Sequence, residues 1–311
     1  MVYLIVFLAL VALTVKGYCG KRISTDAQGV FDTSVFNLLR LVMCVLIGLC
    51  IVLTENAGAS LAVDGGMLWI CVLAGASNAA FLVGWMLAVQ KNTMVAVDVT
   101  LTLGSLLPAV LCAIFFDEPL SLGKLGGFAL ILVASLVLSS HGKDVKKKTG
   151  FLSALLLVFA ALGDGLTGFS QQLFKQFYSE SGTRAGGRIY PDAVYHFYTY
   201  VFAALILLFV LIGLLLVRRC RGETLPSRRV AYLHALPYIA VMALCLFGAN
   251  YAQTSATGSF GMPSQVLYPV IKGGCLVTAN VTALFFGERF TRRSALGTVI
   301  ALCGIVCLNL L

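Results

Sequence analysis

Residues 115–138 read FFDEPLSLGKLGGFALILVASLVL, and residues 285–308 read FFGERFTRRSALGTVIALCGIVCL. Phe115-Phe116-Asp117-Glu118 is echoed by Phe285-Phe286-Gly287-Glu288 at an offset of 170 residues. The register continues through Gly127/Gly297, Leu132/Leu302 and Leu138/Leu308. Both stretches lie in a chain built of apolar runs. A membrane-crossing helix needs about 20 such residues. Runs bounded by charge, Gly or Pro predict ten spans: 2–19, 33–54, 66–90, 94–115, 120–140, 150–174, 193–217, 230–253, 264–286 and 294–311. The runs are continuous rather than alternating, so they predict helices and not barrel strands. Five spans separate the two copies. An odd number puts them in opposite senses across the membrane, which is an inverted repeat. The fold class expected is an all-α polytopic membrane protein, with ten transmembrane helices in two inverted five-helix repeats. The first repeat covers 1–142, a basic connecting loop 143–149, and the second repeat 150–311.

Composition agrees. Of 311 residues, 59% are hydrophobic and 11% charged, and the mean hydropathy is +0.96. A soluble domain carries roughly a quarter charged residues. A soluble enzyme, a secreted disulfide scaffold and a nucleic-acid-binding domain are excluded. The ten cysteines form no CxxC pair and no Cys/His cluster, so they read as small buried hydrophobes rather than metal ligands. Met1–Tyr18 lacks a basic start and a small-residue cleavage site and reads as a retained first span.

The basic residues sort by side. Of 22 Lys and Arg, 15 fall on the side of the first connection, including Lys21, Arg22, Lys146–Lys148, Arg218, Arg219 and Arg292. Four fall on the other side and three (Lys16, Arg40 and Lys272) inside spans. The positive-inside rule places Lys146 and Arg219 in the cytoplasm of a multi-pass cell-membrane protein, with both termini outside.

A weaker echo aligns Lys16-Gly17-Tyr18-Cys19-Gly20 with Asp164-Gly165-Leu166-Thr167-Gly168, at an offset of 148. Two five-span halves, each closing on a Phe-Phe run, a Glu and a Gly-containing last helix, resemble the drug/metabolite transporter superfamily. More narrowly they resemble its ten-span EamA-type branch. Arg40, in Asn37–Met43, sits where that branch often has an arginine. The loop Glu55–Gly65, with two acids and no base, departs from it. The resemblance covers the whole chain. It implies a ten-helix basket around a central cavity lined by spans three, four, eight and nine, with spans five and ten outside. It implies traffic in amino acids, sugars, nucleotide-sugars, drugs or other small metabolites.

An ionisable residue at the centre of a span costs about 2.5–3.5 kcal/mol on insertion scales and persists when paired, hydrated or useful. Asp98, Thr102 and Ser105 share one face of span four. The repeat maps that face onto Tyr268, Lys272 and Cys275. Lys272 lies about 12 Å into its span, at about 1.5 Å per residue, too deep to snorkel. Gly273-Gly274 beside it allows close packing or ligand approach. Asp98 and Lys272 are either substrate ligands or each other's counter-ion. Lys16 and Asp164 are either a coupling pair, with Asp164 carrying a proton, or a fixed ion pair. Arg40 reads as structural. Asn78 and Trp85 with Phe81, and Asn250 with Gln253, are further candidates for a cavity wall. Tyr195 and Tyr200 read as interface aromatics and His196 as a residue near the outer surface. Pro108, Pro237 and Pro269 would bend their spans. Glu118 and Glu288 read as caps at helix junctions.

No GxSxG, HExxH or GxxxxGK[ST] motif is present, so neither an enzyme nor an ATP-driven pump is expected. The reading is a secondary transporter of a small polar metabolite, an amino acid or related compound, working by alternating access and either coupled to protons or running downhill. The alternative is a flippase for a lipid-linked sugar or lipid. It would work in a lipid bilayer as a monomer or homodimer, with a small-molecule substrate and without nucleic acid, cofactor or metal.

Overall fold

The computed structural model describes residues 2–24, 26–27, 29–55, 61–91, 94–104, 106–117, 121–139, 151–179, 182, 188–222, 229–286 and 292–310. Among these the chain is helical, with no strand. The helices are α1 (Val2–Ile23), α2 (Gly29–Glu55), α3 (Gly65–Lys91), α4 (Met94–Gly104), α5 (Leu106–Phe116), α6 (Leu122–Ser139), α7 (Phe151–Tyr178), α8 (Asp192–Cys220), α9 (Arg229–Gly258), α10 (Ser264–Phe285) and α11 (Arg292–Leu310).

Six of them, α1, α2, α3, α7, α8 and α9, are long and apolar enough to cross a membrane. Their outer faces are apolar as well: Phe7, Phe209 and Leu216 stand well exposed, Phe209 by 70%. Such faces suit lipid and not water. The molecule is an all-α, membrane-embedded protein. Every apolar run of the sequence falls on one helix except 94–115, which falls on both α4 and α5. Pro108 lies within α5. Pro237 lies inside α9.

Small residues decide which helices touch. A Cβ on Gly163 of α7 would sit 2.7 Å from the Phe81 backbone nitrogen and 2.8 Å from the Ser77 carbonyl oxygen of α3. A Cβ on Gly84 of α3 would sit 3.1 Å from the Ala160 nitrogen. Between these points α3 lies against α7 along its length, and α1 lies likewise against α9. Backbones that meet this closely gain dispersion contacts which lipid tails cannot supply. Further pairs are α2 with α8 and α6 with α11. The largest core cluster, with Phe36, Cys44, Leu82, Trp85, Tyr200 and Phe247, draws on α1, α2, α3, α4, α7, α8 and α9.

The two ends of the bundle differ. At one, Arg218 covers the Phe31 ring at 4.7 Å, His234 meets Asp26 at 2.9 Å and Tyr232 donates to Asp32 at 3.0 Å. At the other, Tyr178 donates to Asp64 and Ser255 to Asp192, both at 3.0 Å. Asp117, just beyond α5, has φ 54°. That left-handed conformation commonly ends a helix and suits glycine best, the residue the repeat places at 287. Glu118, Gly287, Glu288 and Lys143–Lys148 lie outside the described residues, as do Ser105 and Arg184.

Candidate functional site: a charged cavity inside the bundle

Four charged side chains from four helices meet at two adjoining cavities. One is walled by Lys16 and Gly17 of α1, Phe81 and Trp85 of α3, Asp98 of α4, and Lys272, Thr278 and Thr282 of α10. The other is walled by Asn78 of α3, Asp164, Thr167 and Gln171 of α7, Asn250 and Gln253 of α9, and Tyr268 of α10. Leu13, Lys16, Phe81 and Lys272 belong to both walls, so the two spaces meet there.

The strongest contact is between Lys272 and Asp164. The ammonium lies 2.6 Å from Oδ2 and donates to Oδ1 at 2.8 Å. Their side chains are 13% and 12% exposed. In low dielectric the pair's attraction offsets the desolvation of both ions only when geometry is this close, and removing one partner strands the other. Of the two readings for Asp164, the structure pairs it with Lys272 and not with Lys16. Lys16 instead lies against aromatic faces, 5.1 Å from the Phe81 centroid and 5.6 Å from that of Trp85. Lys272 is also 5.9 Å from the Phe81 centroid, so one ring faces both ammoniums. Asp98 is half-buried, within electrostatic range of Lys272, Lys16 and Asp164.

The remaining predicted residues divide. Asn78, Trp85, Asn250, Gln253 and Tyr268 all reach a wall. Asn78 is 1% exposed and neither its Oδ1 nor its Nδ2 has a partner among the described residues. Asn250 donates to the Tyr200 hydroxyl at 2.9 Å. The Tyr268 hydroxyl lies 2.8 Å from Gln171 Oε1 and 2.9 Å from the Gly168 carbonyl, which fastens α10 to α7. Thr102 is buried with its hydroxyl donating to the Asp98 carbonyl at 2.7 Å, and neither cavity includes it. A Cβ on Gly274 would meet the Leu10 side chain of α1 at 2.9 Å, so that glycine serves helix packing.

Arg40 is fully buried, its Nη2 bonded to Asn37 Oδ1, with Nε and Nη1 unpartnered among the described residues. His196, near the start of α8, faces the bundle interior. It is 1% exposed, bonds Thr254 Oγ1 at 3.0 Å, and packs against Tyr195, Tyr200 and Phe247. Tyr195 and Tyr200 are buried with it and are not interface aromatics. A polar residue inside a span satisfies itself on neighbouring helices when no water is at hand, and α8 turns this set inward.

Gln171, Thr14 and Thr278 were missed. Gln171 lies seven residues beyond Asp164 and continues its helix face, and Thr278 lies three beyond Cys275 and four before Thr282, on the face of α10 that lines the first cavity. Thr14 donates to Thr278 at 2.9 Å and ties α1 to α10 beside the cavity.

No protein-family model and no curated protein matches the chain. Solved structures do. One, described only as "Crystal structure of protein", is similar with a TM-score of 0.65 over 99% of this chain and 97% of that one. At 13% identity the likeness extends to the fold alone.

Proposed function

We propose that the chain is a secondary transporter of a small polar metabolite and that the cavity around Asp164–Lys272 is its substrate path. The observation that carries this reading is the convergence of Lys16, Asp98, Asp164 and Lys272, from four helices, on connected space. Charges inside spans are rare and costly, and they mark ion and substrate pathways. Aromatic walls with a few polar groups are what small-molecule sites are made of.

The ten-span inverted repeat, of the kind found in the EamA-type branch, is part of the proposal. In it α4 and α5 together form span four. Two facts support it. The α3–α7 and α1–α9 contacts exchange with each other when each span is moved on by five. The Phe115–Phe116 pair packs on Phe169 of α7, and the Phe285–Phe286 pair packs on Tyr18 of α1. The basic end near Arg218 is cytoplasmic in this proposal. A cysteine introduced at Gly182 should react with an impermeant thiol reagent on intact cells, and one at Arg219 should not. The reverse pattern overturns the orientation.

The function is tested by flux. Proteoliposomes loaded with a mixture of polar metabolites should release at least one of them faster than protein-free vesicles. Lys272→Met removes one charged hydrogen bond, about 1.5–3 kcal/mol, so affinity for that solute should fall by about one to two decades. If no solute moves, the transporter reading fails.

A further inference from the structure

We propose that a substrate carboxylate and the Asp164 carboxylate exchange on Lys272, so that the cavity loads one small monoanion together with one proton. This rests on the transporter reading above and adds to it a substrate class and the sign of the coupling.

The argument starts from charge. Lys16 and Lys272 carry two positive charges into the cavity, and Asp98 and Asp164 carry two negative ones. With all four groups ionised, the empty site is balanced. Lys272 spends its ammonium on both oxygens of Asp164, so an incoming anion meets an occupied cation and a like charge beside it. Protonating Asp164 changes both conditions. The neutral carboxyl releases Lys272, and the site now holds one positive charge in excess. A monoanion on Lys272 restores the balance. The proton is bound on an Asp164 oxygen, the anion takes the ammonium, and no other bond changes. Empty-ionised and loaded-protonated sites are equally balanced, while the two mixed forms carry a net charge that the bilayer interior penalises. Arg40, in electrostatic range of Lys16, is the same in every form.

The surroundings leave Asp164 as the group that exchanges. Facing the pair are Lys16 of α1, Asp98 of α4, and Tyr268 and Cys275 of α10, with Cys112 of α5, Tyr195 of α8 and Cys245 of α9 beyond them. From α3 the neighbours are Asn78 and Phe81, neither of which titrates. Of the two carboxylates, only Asp164 directly contacts an ammonium among the described residues.

Asn78 is independent evidence that the cavity takes a ligand. It is buried in the same wall as Asp164 and Lys272, and both ends of its amide are unpartnered among the described residues. Buried amides in native structures are almost always bonded. A ligand that donates and accepts at one neutral group would satisfy it. The substrate class is therefore a small monocarboxylate with a hydroxyl or amide. A zwitterion brings no net charge and would leave the protonated site unbalanced.

Binding to the purified full-length chain in nanodiscs tests this, with lactate and N-acetylglycine as probes and glycine and lactamide as controls. Lactate or N-acetylglycine should bind with uptake of about one proton per anion. Affinity should rise by up to about tenfold per pH unit as pH falls from about 7.5 to about 5.5, the slope for one linked proton. Asp164→Asn should bind the same probe independently of pH, as tightly as the unmodified protein at the lower pH. Should that variant fail to fold, the proton count on the unmodified protein decides. Binding without proton uptake overturns the exchange, as does a pH slope that survives Asp164→Asn. Preference for glycine or lactamide, or no binding of either anion, overturns the substrate class. Flux of a neutral or cationic solute in proteoliposomes would keep the transporter reading and sink this one, whereas absence of all flux would sink the transporter reading itself.

Discussion

Two lysines enter the same cavity and are held by different chemistry. Lys272 on α10 meets a carboxylate at 2.6 Å. Among the described residues, Lys16 on α1 meets no carboxylate at such range; it lies over the rings of Phe81 and Trp85 and is 6% exposed. A carboxylate can be neutralised by a proton, and its hold on an ammonium then ends. An aromatic face has nothing to titrate. The Lys272 contact is thus one that chemistry can switch, and the Lys16 contact is one that holds a charge in place. Cation–π contact is worth about 0.5–2 kcal/mol, whereas a buried ion pair broken on one side costs about 3–5 kcal/mol.

The largest effect should come from Asp164→Asn, which strands Lys272. We expect a loss of about 3–5 kcal/mol in stability, read as a lowered thermal midpoint in nanodiscs. Adding Lys272→Met should restore most of it, because no buried charge is then unpaired. Adding Lys16→Met to Asp164→Asn should not. If Lys16→Met rescues and Lys272→Met does not, Lys16 is the true counter-ion and the comparison collapses.

A smaller effect is expected from Phe81→Leu. It keeps an apolar side chain but removes the ring under both ammoniums, and should cost about 0.5–2 kcal/mol. The cost should shrink in a Lys16→Met background, since the nearer cation is Lys16, and what remains reflects Lys272 at 5.9 Å. A full cost in that background would assign the loss to packing alone.

Much of this was legible in the sequence, for stated reasons. Helix positions follow from continuous apolar runs, so every run found a helix. The five buried charges stood out because apolar spans tolerate so few. Their partners did not. The repeat sets Thr102 against Lys272 and the weaker echo sets Lys16 against Asp164, so both alignments steered attention to symmetry mates. The actual contact joins α7 to α10, a pairing of helix faces that linear spacing cannot give. The inward turn of His196 was equally hidden: Thr254 of α9 and the neighbouring rings bury it.

The central claim is that the space around Asp164 and Lys272 opens in turn to each side of the membrane. Thr167 lies in its wall beside Asp164, and a cysteine there, in a chain otherwise depleted of cysteine, reports access directly. In vesicles of known sidedness, an impermeant thiol reagent added from either side alone should modify position 167. A saturating transported solute should slow the reaction from both sides. Modification from one side only, or from neither, would contradict the account and leave Asp164–Lys272 as a fixed structural pair.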